Sequence, residues 1–366
     1  MFLILAQLPP PVHGAAVINQ KARTLITLMH PKSRFINIST AKDIGDVGQP
    51  STIKILKTAL IILIIIRNLF RREIKYCYIN LHPTGKVFLR DAFLCLISKL
   101  FRKKVILHLH GRGIAEEKSF FLNLAHRIAF KNNLVIHLSD IFYSEISKFV
   151  KKSHFVSVPN CAEDRPDLET RYTGGKIRFY YFSNYIRGKG ALELLRAAKH
   201  IYHVDINCEF VFAGGWFDSD FKDEIDRWRI ENRHLFDCGY IEIHGPLHGV
   251  QKDSFIKNSH AFIFPSYIDT FPLVILEAMS AGKLIISTTT GAAPEILENG
   301  AAGLLVPEKD YLALAAMISY VIQNPKIIND YSISARNRYL KNYTEEIFSM
   351  KFCEAIQSFT EKTKDE

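Results

Sequence analysis

Twelve short apolar runs, alternating with amphipathic stretches, constrain this chain more than any other feature. The first six are FLILAQ (2–7), FINIS (35–39), YCYINL (76–81), VILHLH (105–110), LVIHLS (134–139) and FVSVPN (155–160). Six more follow: IRFYYFS (177–183), CEFVFAG (208–214), YIEIHG (240–245), AFIFPS (261–266), LIIST (284–288) and GLLVP (303–307). Runs of this length read as strands buried on both faces. Helical patterns lie between them at 15–28, 53–70, 87–101, 189–201, 219–232, 249–258, 271–281 and 310–323, and 325–362 reads as helix throughout. Repeated strand–helix order predicts α/β architecture with parallel sheets covered on both sides. The polar stretch CAEDRPDLETRYTGGK (161–176) separates the two series as a linker. A chain of 366 residues is comfortable for two such halves. Ligands of these sheets sit at the carboxyl ends of the strands, and with two facing sheets the cleft between them is the natural site.

Charge is unevenly placed. Residues 1–162 carry 24 Lys and Arg against 8 Asp and Glu, and the remainder carries 23 against 29. A basic half suits phosphate, on lipid head groups or on nucleic acid. The basic helices lack a nucleic-acid reader motif, so no nucleic-acid partner is expected. RNLFRREIK (67–75) and LISKLFRKK (96–104) mix aromatic and basic residues, a pattern that docks on an anionic membrane surface; plain solubilising charge is the alternative. The octet ALIILIII (59–66) is far shorter than the roughly 20 residues of a membrane span and is expected as a buried helix. MFLILAQLPPP lacks a basic leader and a signal-peptide-length apolar run. The six cysteines form no CxxC pair and are expected as buried reduced thiols of a cytosolic protein. No complete GxxxxGK[ST] or GxGxxG is present, which argues against triphosphatase and dinucleotide readings.

FPSYIDTFPLVILEAMSAG (264–282) keeps two carboxylates, Asp269 and Glu277, within an apolar stretch. Thr270 is a good N-cap, Pro272 suits a first turn and Gly282 ends the helix. The free amides of Leu273 and Val274 then form a positively polarised tip that favours phosphate. Glu277 shares their helix face and is placed to accept from two ribose hydroxyls, with Asp269 on the far side of the phosphates, where a sugar would lie. On spacing alone, Asp269 capping a helix and Glu277 pairing with a lysine fit equally. Asp-x-Asp in WFDSDF (216–221) precedes an amphipathic helix, where Asp218 or Ser219 serves as N-cap; no metal is expected there.

The 264–282 stretch resembles the Glu-x7-Glu motif of family-4 glycosyltransferases, retaining enzymes of the GT-B fold. FPS with Pro265, LEAMSAG and GAAPEIL (291–297) match that pattern too, and Asp269 stands where that family usually has Glu. The resemblance implies GT-B, two tandem Rossmann-like domains facing each other across a cleft. Its domains are 1–165 on the acceptor side, 174–340 for the nucleotide-sugar, and a helical tail 341–366 packing back on the first. It implies that Lys189 reaches the donor diphosphate. Asn184 replaces an arginine the family often has, with Arg187 as substitute. HGPLHG, with His244, Gly245 and Pro246, resembles the base-contacting loop; a core histidine at 244 fits as well. His110 matches a histidine near the donor sugar, and His108 is expected on the opposite side of the strand. QLPPPVHGAA (7–16) resembles the glycine-rich first loop, with Gly14 near the donor and His13 toward the acceptor.

The expected function is metal-independent, retaining transfer of a hexosyl or N-acetylhexosaminyl group from a UDP- or GDP-sugar, without cofactor. His110, Lys189 and Asp269 would be catalytic. The acceptor would be a glycan or polyprenyl-diphosphate-linked glycan of surface polysaccharide assembly, at the inner face of the cytoplasmic membrane. A catalytically silent sugar-nucleotide-binding scaffold and a GT-B epimerase are the alternatives.

Overall fold

A computed structural model describes residues 1–9, 14–39, 52–203 and 207–362. The chain divides into two compact units, Met1–Asn160 with Glu346–Glu366, and Cys161–Glu345.

The first unit runs β1 (Phe2–Ala6), α1 (Gly14–Met29), β2 (Arg34–Asn37), α2 (Thr52–Leu69), β3 (Tyr76–Leu81), α3 (Gly85–Leu100), β4 (Lys104–Leu109), α4 (Phe120–Phe130), β5 (Leu134–His137), α5 (Tyr143–Ile146) and β6 (Phe155–Ser157). The second runs β7 (Ile177–Phe182), α6 (Ala191–Tyr202), β8 (Cys208–Ala213), α7 (Ser219–Glu231), α8 (Arg233–Asp237), β9 (Ile241–His244), α9 (Gly249–Lys257), β10 (Ala261–Phe264), α10 (Leu273–Ser280), β11 (Leu284–Thr288), α11 (Ala293–Ile296), β12 (Leu304–Val306), α12 (Tyr311–Gln323) and α13 (Ile327–Asn342). α14 (Glu345–Lys362) closes the chain on the first unit, where Phe352 meets Tyr78 edge-on and the Tyr76 hydroxyl donates to the Thr360 carbonyl at 3.2 Å.

All twelve expected strands form, within one or two residues at most of their ends and three at β6. The sheets are parallel throughout, ordered β2-β1-β3-β4-β5-β6 and β12-β11-β10-β7-β8-β9. Each order reverses direction once, between β1 and β3 in the first sheet and between β7 and β10 in the second. That switch point opens a crevice at the carboxyl ends of the flanking strands.

Four expectations change. α2 is not a buried helix: only Ile65, Asn68 and Leu69 are buried along it, while Leu56, Leu60 and Leu63 face outward. The stretch 161–176 is not a free linker but lies on the second unit. There Ala162 N–H donates to the Tyr343 carbonyl at 3.2 Å, and Arg165 pairs with Asp253 at 2.9 Å. The expected continuous tail breaks at Tyr343 and Thr344, where the Tyr343 side chain is buried. Of the cysteines, Cys238 is exposed and Cys353 half-buried.

Candidate active site

The switch point of the second sheet gathers the loops after β7 and β10. The β7 loop ends in a short 3-10 turn, Arg187–Lys189, closed by Gly190 at φ 83°. A Cβ on Gly190 would lie 2.2 Å from the Pro265 carbonyl oxygen, so only glycine permits both the left-handed backbone and the close approach of the loops. Tyr267 N–H donates to the Gly188 carbonyl at 3.0 Å and fastens the two together. Gly291, at φ 58°, is needed for a similar reason, since its Cβ would fall 2.3 Å from the Asp269 carbonyl oxygen.

This packing sets Lys189 Nζ 2.5 Å from Asp269 Oδ1, with both side chains about one-fifth exposed. Ser266 Oγ donates to Asp269 Oδ2 at 2.5 Å. A cation and a carboxylate 80 residues apart thus share one half-buried point at the mouth of the crevice. Ser266 was absent from the sequence-based site. Its place in FPS, two residues after the strand, is the signal that marks it.

α10 follows at once. Its N-cap is Pro272, not Thr270. The Thr270 carbonyl is taken by Ala292 N–H at 2.8 Å, and Phe271 is buried, so helical backbone begins only at Leu273. Ile275 N–H reaches the Pro272 carbonyl at 3.2 Å, while the Leu273 and Val274 amides find no acceptor among the described residues. They are the orphan donors of a helix start and attract an anion. One turn on, Glu277 Oε2 accepts from Lys252 Nζ at 2.8 Å, so the lysine pairing that spacing allowed is present. Its other oxygen has no partner among the described residues. The nearby Tyr180 hydroxyl is pushed well above its ordinary range, first by burial and then by the Glu277 charge.

The other expected donor residues surround this cluster less closely. Arg187 is turned away into an ion pair with Glu224 and lies 5.0 Å over the Phe221 ring. Asn184 leads into Tyr185, whose ring stacks on Trp216 at 4.1 Å and whose hydroxyl donates to the His244 carbonyl at 3.2 Å. Gly245 is exposed, with open space where a Cβ would lie. His244 is not a core residue: it is half-buried, 3.3 Å from Glu242. Asp218 of the Asp-x-Asp stretch caps α7, accepting from Phe221 N–H at 3.0 Å. Among the described residues no three His, Cys, Asp or Glu side chains gather as a metal site.

In the first unit, His110 follows β4 and its Nε2 lies 3.1 Å from Asn19 Oδ1 on α1, the helix that Gly14 opens. His108 is not on the opposite side. Residues two apart on a strand share a face, and the two rings lie 4.1 Å apart. His108 is fully buried, 2.6 Å from the Tyr78 hydroxyl, and burial pulls its pKa down to about 3. His13 lies outside the described residues.

A further group at this edge went unread in the sequence. His82, just after β3, holds its Nδ1 2.9 Å from Asp91 Oδ2. Asp91 is completely buried and also accepts from His82 N–H at 3.0 Å and from Arg90 Nε at 2.9 Å and Nη2 at 2.7 Å. The carboxylate makes Nδ1 the protonated nitrogen of neutral His82 and leaves Nε2 as an acceptor. Leu81 pairs with Leu109, so His82 and His110 occupy neighbouring positions beyond the sheet. The nine-residue separation of His82 and Asp91 across a turn carries no local signal of this contact.

Residues 169–338 match the family model described as Glycosyl transferases group 1. The capsular polysaccharide biosynthesis glycosyltransferase CapM of Staphylococcus aureus is 24% identical over 46% of this chain and 42% of its own length. The chain spans less than two thirds of the length of the curated relatives it matches. Among solved structures, a glycosyltransferase from Rickettsia africae superposes with a TM-score of 0.73 at 16% identity, covering 97% of this chain and 98% of that one. Anabaena HepE, in complex with UDP-glucose, gives 0.72 at 16% identity, covering 98% and 100%. With its two six-stranded parallel sheets, the chain has the GT-B glycosyltransferase fold, and its residues 169–338 resemble the glycosyl transferases group 1 family.

Proposed function

We propose that the chain is a retaining glycosyltransferase of family-4 type. It would move a hexosyl or N-acetylhexosaminyl group from a UDP- or GDP-sugar to a glycan or polyprenyl-diphosphate-linked glycan in surface polysaccharide assembly. The observation that carries this reading is the Lys189–Asp269 pair beside two unengaged amides at the tip of α10. The UDP-glucose named for HepE and the capsular role named for CapM support it.

The donor diphosphate would sit on the Leu273 and Val274 amides, where helix polarity and free donors favour negative charge. Lys189 Nζ would exchange an Asp269 oxygen for a phosphate oxygen and oppose the charge that grows on the leaving group. Asp269, released, would accept from a sugar hydroxyl. The free oxygen of Glu277 would accept from the ribose. In the chemical step the bond from the anomeric carbon to the phosphate oxygen breaks, and its electron pair leaves with the diphosphate. The acceptor oxygen bonds to the same face of that carbon, and its proton passes to the departing phosphate. Positive charge for this comes from Lys189 and the helix tip, so no metal is required. Work on a polyprenyl-linked acceptor would place the protein peripherally at the cytoplasmic face of the membrane. No helix among the described residues is long and apolar enough to cross one.

The test starts with thermal melts against a panel of nucleotide-sugars, since a ligand of the native state raises its stability. The stabilising donor is then assayed for transfer. Lys189→Ala should lower turnover about 10²–10³-fold, the loss seen when one transition-state charge contact is removed, with the free protein still folded. Near-normal rates in that variant would refute the role of Lys189. A donor that binds tightly yet is never turned over would identify a silent scaffold instead; the short Asp269 side chain, which holds Lys189 in an ion pair, favours that second reading.

A further inference from the structure

A basic basin opens at the amino edge of the first unit's sheet, where β4, β5 and β6 begin and α3 and α4 end. It encloses about 950 Å³; Arg102, Lys104, Lys131, His154 and Lys362 line it, and among the described residues no carboxylate does. A smaller concavity of about 330 Å³ shares Arg102 and Lys104 with it and adds Arg72 and Lys75.

Part of this charge is structural. Lys99 Nζ donates to the Ile128 and Lys131 carbonyls, both at 2.7 Å, and Lys103 Nζ to the Ile74 carbonyl at 2.7 Å. These lysines meet carbonyls that helix and turn ends leave open. Arg102, Lys131 and Lys362 are different: all three are exposed, and none has a carboxylate partner among the described residues. Arg102 also holds a left-handed backbone, φ 55°, just beyond α3. Glycine or asparagine is the favoured residue there, as at Asn132 beyond α4, φ 58°. Like charges gathered without counter-charge repel one another, and an anion is the ligand that relieves them.

The surface beside the basin selects among anions. α3 exposes Leu89, Phe93, Leu96 and Leu100, spaced four, three and four residues apart on one face, with Leu100 72% exposed. α4 exposes Phe121 (79%) and Ile128, and α2 exposes Leu56, Leu60 and Leu63. α3 packs against both α2 and α4. Ile128 belongs to the α4 stripe and also lines the basin, so apolar and basic surfaces are continuous. Soluble proteins rarely expose apolar patches on this scale, and apolar helix faces rimmed by Lys and Arg suit the interface of an anionic bilayer.

We infer that this face docks on an anionic phospholipid bilayer, with lipid phosphates in the basin and the outer stripes of α2, α3 and α4 in the interfacial layer. It gives a location to the membrane partner of the reading above, and its test needs neither donor nor acceptor. The full chain is sedimented with phosphatidylglycerol vesicles and with phosphatidylcholine vesicles at low and high salt. Binding should require phosphatidylglycerol and fall with salt. Arg102→Glu, Lys131→Glu and Lys362→Glu together should weaken it on the order of a hundred-fold, given the contribution of each basic residue near such a surface. Leu63→Ser with Phe121→Ser should weaken it without altering the melting curve, because both side chains are exposed. No vesicle binding by the wild type, or equal binding by the charge-reversed variant, overturns the inference. Stabilisation by tripolyphosphate without vesicle binding overturns it in favour of a soluble phosphate ligand. A dimer that dissociates in the Leu63/Phe121 variant, again without vesicle binding, overturns it in favour of a second copy. Any of these outcomes leaves the sugar-transfer reading standing, and lost transfer in Lys189→Ala has no bearing on docking.

Discussion

Single residues decide the geometry at the second unit's crevice. Gly190 lets two loops touch, and that touch brings Lys189 to Asp269. Gly190→Ala adds a left-handed backbone penalty and a Cβ 2.2 Å from the Pro265 carbonyl oxygen. Denaturant melts should show a loss of about 2–4 kcal/mol, within the range of strained backbone substitutions, and donor affinity should fall with it. Asp91 does comparable work in the first unit, where four donors converge on one buried carboxylate. Removing one partner of a buried charged cluster costs about 3–5 kcal/mol, so Asp91→Ala should unfold at markedly lower denaturant. His82→Gln, which touches a half-buried ring, should cost much less. If the two variants melt alike, the buried network is not what holds this edge.

At the scale of the element, α10 converts sequence into a binding surface. Its first turn has two amides with no acceptor among the described residues, and the lead-in Pro272 is extended at ψ 113°. Proline is tolerated at the first helical position because that N–H is unpaired anyway. Leu273→Pro therefore deletes one donor with little cost to the helix. Nucleotide-sugar affinity should drop about tenfold, the worth of one hydrogen bond to a charged group, while the melting temperature stays close to wild type. Unchanged affinity by calorimetry would show that the diphosphate does not use this tip. α2 teaches the converse. Its apolar octet predicts burial, yet a helix buries only what neighbouring elements cover, and here that is little beyond its last turn.

At the scale of the molecule, the two units answer pH differently. His108 and His137 lie buried in the first sheet, and burial pulls both pKa values down to about 3 from an ordinary 6.5. Between those values the unfolded chain binds protons that the folded unit refuses, so stability is fully present above pH 6.5 and is lost as pH falls toward 3. At pH 5 each histidine should cost about 2 kcal/mol, and His108→Gln should flatten the decline seen in melts between pH 7 and 5. In the second unit, burial lowers fully enclosed Lys283 to about 8 from 10.5. Burying this ammonium penalises folding below pH 8, and the penalty fades as pH rises toward 10.5.

Strand number, strand order along the chain, the two-part organisation and the 264–282 segment were all legible in the sequence. Apolar run length and helical period are local properties, and a carboxylate eight positions from another inside an apolar stretch is conspicuous in one dimension. Contacts that join distant residues were not legible. Lys189 meets Asp269 because parallel strands bring their trailing loops together, and Lys252 meets Glu277 and His82 meets Asp91 because the helices after the strands pack at the same ends of their sheets. Composition announced the basic charge of the first half, but the amino edge of its sheet collected that charge into one basin. Local chemistry fixes which elements form; which side chains end as neighbours is decided by packing, since that alone determines what each loop touches.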